Sequence, residues 1–129
     1  MNFSIDSVDS KNSIRFSQQE PEYFTVHLTG SVQASCRVCT YTDEFGLMNF
    51  FQKLAKTNKP WNGVLHWKSL DEKFQILTTC SSLGHVIFEV RMHGLAGYPE
   101  EWNVKVGITS DFGQLSSYST SAERFFGVK

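Results

Sequence analysis

Residues 86–92 read Val86-Ile87-Phe88-Glu89-Val90-Arg91-Met92, and this run decides the fold class. Successive side chains of an extended strand point to opposite faces, so Val86, Phe88 and Val90 share one side while Ile87, Glu89 and Arg91 share the other. One side is dry and the other meets water. The same period of two recurs nearby, backward in Val64 to Lys68 and Phe74 to Cys80, and forward in Trp102 to Thr109, where Trp102, Val104, Val106 and Ile108 fall on one face. Turn signals at Asp71-Glu72, at Ser82-Leu83-Gly84 and from Gly94 to Pro99 separate these runs. Short turns between successive strands imply antiparallel pairing.

Toward residue 1 the alternation returns in Phe3 to Ser7, Ser13 to Gln18, Tyr23 to Thr29 and Ala34 to Thr40. Phe24, Val26 and Leu28 oppose Tyr23, Thr25, His27 and Thr29, and Gly30-Ser31 supplies a turn. Between the two blocks the period becomes helical, with Phe45, Met48, Phe51, Leu54 and Ala55 at steps of three to four and Leu47 and Phe50 widening the apolar face. Thr40-Tyr41-Thr42-Asp43 resembles a capping box, Lys53 and Lys56 suit the negative end of the helix dipole, and Lys59-Pro60 marks the exit.

A second helical pattern, Leu115, Tyr118, Ala122 and Phe125, follows Asp111 as the expected cap and Gln114 as the residue returning the bond. Ser116, Ser117, Ser119 and Thr120 are assigned to the outer side; as weak helix formers they make this helix depend on docking. The expectation is therefore an α+β fold of order ββββα-ββββα. It has about seven to eight strands in one or two strongly twisted antiparallel sheets, and two helices cover the apolar face.

A chain of 129 residues and 14.7 kDa suits a single domain, residues 1–129, with one core. With 40% hydrophobic and 19% charged residues it is neither disordered nor a charged coiled coil. Eleven Phe, four Tyr and three Trp can fill such a core and leave some rings for a contact surface. A net charge of −1 argues against a broad face built to neutralise phosphates. Charge is uneven along the chain: residues 1–52 hold six acids and three bases, 53–73 two and five, and the remainder five and four. No run approaches the roughly 20 apolar residues of a membrane span. Three cysteines, an odd number, suit reduced thiols in a cytoplasmic setting, which is the expected localisation.

Motifs for chemistry are weak. Cys36-Arg37-Val38-Cys39 fits Cys-x-x-Cys, yet on a strand the two thiols face opposite sides with Cα atoms roughly 10 Å apart, too far for a disulfide. Zinc would need two more ligands, and Cys80 with His27, His66, His85 and His93 offers no second pair. His85 and His93 bracket one strand and would lie about 26 Å apart. The usual nucleophile-elbow, phosphate-loop and dinucleotide motifs are missing, so no catalytic residue, metal or cofactor is expected. Asp43-Glu44, Asp71-Glu72 and Glu100-Glu101 read as solvated turns or as an acidic surface for a basic partner. Trp61 and Trp67 read as core packing or, with Lys59, Lys68 and Lys73, as a base-stacking platform.

The strand and helix order resembles that of the Whirly single-stranded nucleic-acid binders, a similarity of pattern alone. The set Trp61-x-Gly63-x-x-x-Trp67, Gly84-His85-Val86, Trp102, Gly113-Gln114-Leu115 and Phe125-Phe126 resembles a small bacterial domain family of unknown function. Domains of this size and composition are similar to the immunity proteins of polymorphic and contact-dependent growth-inhibition toxin systems. That resemblance implies a cytoplasmic inhibitor that neutralises a cognate toxin domain, such as a basic nuclease, by protein-protein contact, with no transferable active site. Asp43, Glu44, Glu100 and Glu101 are the expected partner-binding residues; membrane, nucleic-acid and small-molecule partners are not expected. The alternative is a single-stranded nucleic-acid binding module using Trp61, Trp67 and the lysines from Lys53 to Lys73.

Overall fold

The computed structural model describes residues 2–127, so Met1, Val128 and Lys129 of the expected domain lie outside the described residues. The first sheet contains β1 (Phe3–Asp6), β2 (Ser13–Glu20), β3 (Tyr23–Thr29) and β4 (Ala34–Cys39). Helix α1 (Gly46–Ala55) follows, and then a second sheet of β5 (Leu65–Lys68), β6 (Phe74–Cys80), β7 (His85–Gly94) and β8 (Trp102–Asp111). A single 3-10 turn, Phe112–Gln114, leads into α2 (Leu115–Phe125). Both sheets are four-stranded, and each strand pairs antiparallel with its neighbour in sequence. The fold has the expected α+β class and order ββββα-ββββα, and the expected seven to eight strands in one or two sheets are eight in two.

The register carries the alternation across each sheet. In the second sheet Ile76, Val90 and Val106 lie side by side, as do Thr78, Phe88 and Ile108, and all face inward. In the first, Phe16, Val26 and Cys36 form the matching inner row. One buried cluster takes side chains from both sheets and both helices. Its centre is aromatic: Phe16 of the first sheet meets Phe74 of the second at 6.1 Å, and Phe51 of α1 touches Phe3 at 5.3 Å and Phe88 at 6.3 Å. Offset and edge-to-face rings at such separations add to area burial. Outside the core, Val8 N–H donates to the Thr109 carbonyl at 3.0 Å, tying the β1–β2 loop to β8.

Three local expectations are corrected. Thr40 to Asp43 forms no capping box: α1 starts at Gly46 without a side-chain cap, and the Asp43 N–H closes a turn on the Thr40 carbonyl at 3.1 Å. Asp111 likewise ends β8 as extended chain without capping α2, whose first residue is Leu115. Ser119, assigned to the outer side, is buried at 7% exposure, so the docked stripe of α2 is Leu115, Ser119, Ala122 and Phe125. Tyr118 adds a ring against Phe88 at 5.9 Å and a hydroxyl bonded to Ser110. Docking holds this serine-rich helix, as its weak propensity requires.

Candidate functional site

The second sheet ends in two neighbouring hairpin loops, residues 69–73 and 95–101, because β5 and β7 run toward the same end. In the longer loop Tyr98 N–H donates to the Leu95 carbonyl at 2.9 Å and Glu101 N–H to the Tyr98 carbonyl at 3.0 Å. The Glu101 carboxylate accepts the Gly97 N–H at 2.7 Å, which closes the loop on itself. Its base is fixed by close packing: a Cβ on Gly94 would collide with the Trp102 indole, so the chain turns against bare backbone. The Leu95 backbone then adopts φ 55, the left-handed region, which is uncommon for a branched residue.

Leu95 is 49% and Tyr98 69% exposed, and with Pro99 and Glu100 they line a cavity of about 370 Å3. The shorter loop carries the other left-handed non-glycine residue, Glu72 at φ 61, and an exposed Leu70. Strained and exposed apolar residues thus gather at one end of this sheet. The sequence placed a turn here and missed Leu95, Tyr98 and Tyr41 as surface groups; the available signal was apolar residues inside a turn that should favour polar ones.

The four acids expected to bind a partner come from two places. Asp43 and Glu44 lie in the β4–α1 loop, whose Tyr41 and Phe45 are also exposed. Asp43 is engaged within the fold, accepting the Trp67 indole N–H at 3.2 Å. Gly46 permits this, since a Cβ there would collide with the Asp43 carboxylate. Glu44 and Glu100 are exposed, while Glu101 is held by Gly97. Strand spacing and rise place Trp67, the partner of Asp43, about 16 Å from Gly94 at the base of the other loop. Asp71 and Glu72 are drawn to Lys73 at 3.9 Å and Lys68 at 3.3 Å.

The two tryptophans of the alternative reading pack against the core. Trp67 meets Phe74 at 5.9 Å and Trp61 meets Phe112 at 6.4 Å. Cys36 and Cys39 occupy opposite faces of β4 as expected, and burial, reinforced by the Asp71 charge, pushes the Cys36 thiol up to about 11. Cys80 is raised too, by burial above all. Both stay protonated near neutral pH. Among the described residues no group of three or more His, Cys, Asp and Glu could hold a metal ion.

His85 lies opposite Asp111 in the β7–β8 register, beside Val8, Asp9 and Ile87 in a cleft of about 340 Å3. His27, on the outer face of the first sheet, shares a 3.1 Å hydrogen bond with Ser17. Desolvation, aided by the Arg15 charge, lowers its pKa from the ordinary histidine value of 6.5. The unfolded chain therefore takes up this proton more readily than the folded one. Stability from His27 is full above pH 6.5 and declines as the pH falls through that value toward the lower folded one. Replacing His27 with Gln is expected to flatten this part of the profile, read as urea midpoints from about pH 7.5 to about pH 5.

No helix of the described residues is long and apolar enough to cross a membrane. No curated protein and no solved structure matches the chain. A family model covers residues 5–129, and the chain accordingly belongs to the family of unknown function DUF6228.

Proposed function

We propose that the protein is an immunity-type inhibitor: a cytoplasmic binding module, without turnover of its own, that neutralises one basic toxin domain by direct contact. The observation carrying this reading is Leu95, an exposed leucine held at φ 55 in a loop closed by its own hydrogen bonds. A left-handed backbone costs a side-chain-bearing residue about 1–2 kcal/mol, and a half-exposed side chain recovers little of that in the free protein. Docking recovers it by burying Leu95 together with Tyr98. Rings of the Tyr98 kind supply large contact area at low entropy cost, and Tyr41 and Phe45 extend the apolar surface from the β4–α1 loop.

Glu44 and Glu100 supply the charge that steers a basic partner. Asp43 and Glu101 contribute by holding the loops that present them. A face spanning both loops fits one ordinary interface of about 800 Å2 per partner. The single-stranded nucleic-acid alternative would require stacking groups other than Trp61 and Trp67, whose indoles lie against the core.

The test is co-expression with the variable C-terminal domain of the large protein expected from the gene immediately upstream. The wild-type chain should restore growth and bind that domain. Charge reversal at Glu44 and Glu100 together should slow association about tenfold or more at low salt, with a smaller effect at high salt. Leu95→Gly should raise stability by up to about 1 kcal/mol while weakening binding about tenfold, a pair of opposite signs that a merely structural loop would not give. A neighbourhood with no such gene, together with no growth protection from any co-encoded domain, would end the reading.

A further inference from the structure

We propose that the outer face of the second sheet binds a small phosphate monoester with a hydroxylated body, in chemical class a sugar phosphate, across β6, β7 and β8. The register builds a row on that face: Lys68 beside Gln75, Gln75 beside Arg91, and Arg91 beside Lys105. His93 and Asn103 form the adjacent pair toward the loop end. Gln75, Arg91, His93, Asn103 and Lys105, with Glu72 at the rim, line a cavity of about 390 Å3. That volume lies within the range of small-molecule sites, about 300–1,000 Å3.

Arg91 and Lys105 are like charges directly opposite each other on an antiparallel pair, an unfavourable arrangement that Glu89, on the same face, relieves on the Arg91 side only. Glu89 accepts from Arg91 Nε at 2.6 Å and fixes that edge of the guanidinium. The opposite edge keeps donors for a ligand. Lys105 makes no ion pair among the described residues, while Lys68 is held by Glu72 at 3.3 Å. Arg91 is ion-paired with Glu89 at 2.5 Å, so the uncompensated charge of the row is that of Lys105, and the phosphate is placed between Lys105 and the free edge of the Arg91 guanidinium.

The rest of the lining specifies the body. Gln75 and Asn103 offer amide donors and acceptors, His93 an imidazole and Glu72 a carboxylate acceptor, a set suited to several hydroxyls. No Phe, Tyr or Trp lines the cavity, so a nucleobase would find no large ring to stack on beside the His93 imidazole. That composition favours a sugar phosphate over a nucleotide or a single strand.

Two-dimensional amide NMR on the intact chain tests the proposal with four probes: glucose-6-phosphate, inorganic phosphate, adenosine monophosphate and an oligothymidylate. Saturable shifts on addition of glucose-6-phosphate are expected at residues 91–93 and 103–105. Lys105→Gln should weaken them about tenfold, while Arg15→Gln on the other sheet leaves them unchanged. Because Lys105 is exposed and has no ion-pair partner among the described residues, Lys105→Gln should retain the fold, seen as an otherwise unaltered spectrum. Inorganic phosphate binding as tightly as the sugar phosphate would overturn the proposal by showing an adventitious ion only. Tighter binding of the oligothymidylate or of adenosine monophosphate, or no saturable shift with any probe, would overturn it as well.

Discussion

Truncating Phe51 to alanine is expected to remove about 3–5 kcal/mol of stability, a large part of the 5–15 kcal/mol typical of a domain. The reason lies in where α1 delivers this ring. Phe51 is fully buried and meets Phe3 and Phe16 of the first sheet, Phe50 of its own helix and Phe88 of the second sheet, at centroid distances of 5.3, 6.4, 5.8 and 6.3 Å. No collapse of one sheet alone fills the space it leaves, because its neighbours belong to separate layers. Phe51→Leu retains most of the volume and should cost about 1–1.5 kcal/mol. Urea denaturation gives both values. An alanine variant losing less than about 1 kcal/mol would place the ring outside the shared core.

Thr78→Val carries the opposite sign, an expected gain of about 1–3 kcal/mol. Thr78 is wholly buried on the inner face of β6, between Leu65 and Phe88 in the register, and its hydroxyl has no hydrogen-bond partner among the described residues. A buried hydroxyl without a partner costs its desolvation, whereas a methyl of nearly the same shape gains from the same surroundings. Valine also retains the branched Cβ that suits a strand. Thr78→Ser keeps the hydroxyl, loses the methyl and should destabilise. If valine and serine both destabilise, the hydroxyl has a partner and this account of β6 fails.

The paired acids show where local reading stops. Asp43-Glu44 and Glu100-Glu101 looked alike as sequence, two adjacent carboxylates near a turn. In the fold their fates diverge within each pair: Asp43 serves Trp67 and Glu101 serves Gly97, leaving Glu44 and Glu100 facing outward. The capping box at Thr40 to Asp43 failed for the same reason. A cap stabilises by about 1 kcal/mol, and the half-buried indole N–H of Trp67, 24 residues away, competes for the same carboxylate. Leu95 and Tyr98 were legible as a turn but not as a strained, exposed pair, since backbone conformation in a long hairpin loop depends on what packs at its base, here Trp102 against Gly94.

Side-chain alternation is a property of neighbouring residues, and a strand turns it directly into an inner and an outer face. For that reason Val86 to Met92 and its companion runs, with the two segments of helical period, were enough to expect about seven to eight strands, two helices and their order. The rest depends on partners distant along the chain: Asp43 on Trp67, Phe51 on Phe3 and Phe88, and Arg91 on Lys105 across a hairpin. Which polar groups are engaged within the fold and which remain available to a ligand was therefore decided only when the two sheets and helices closed on one another.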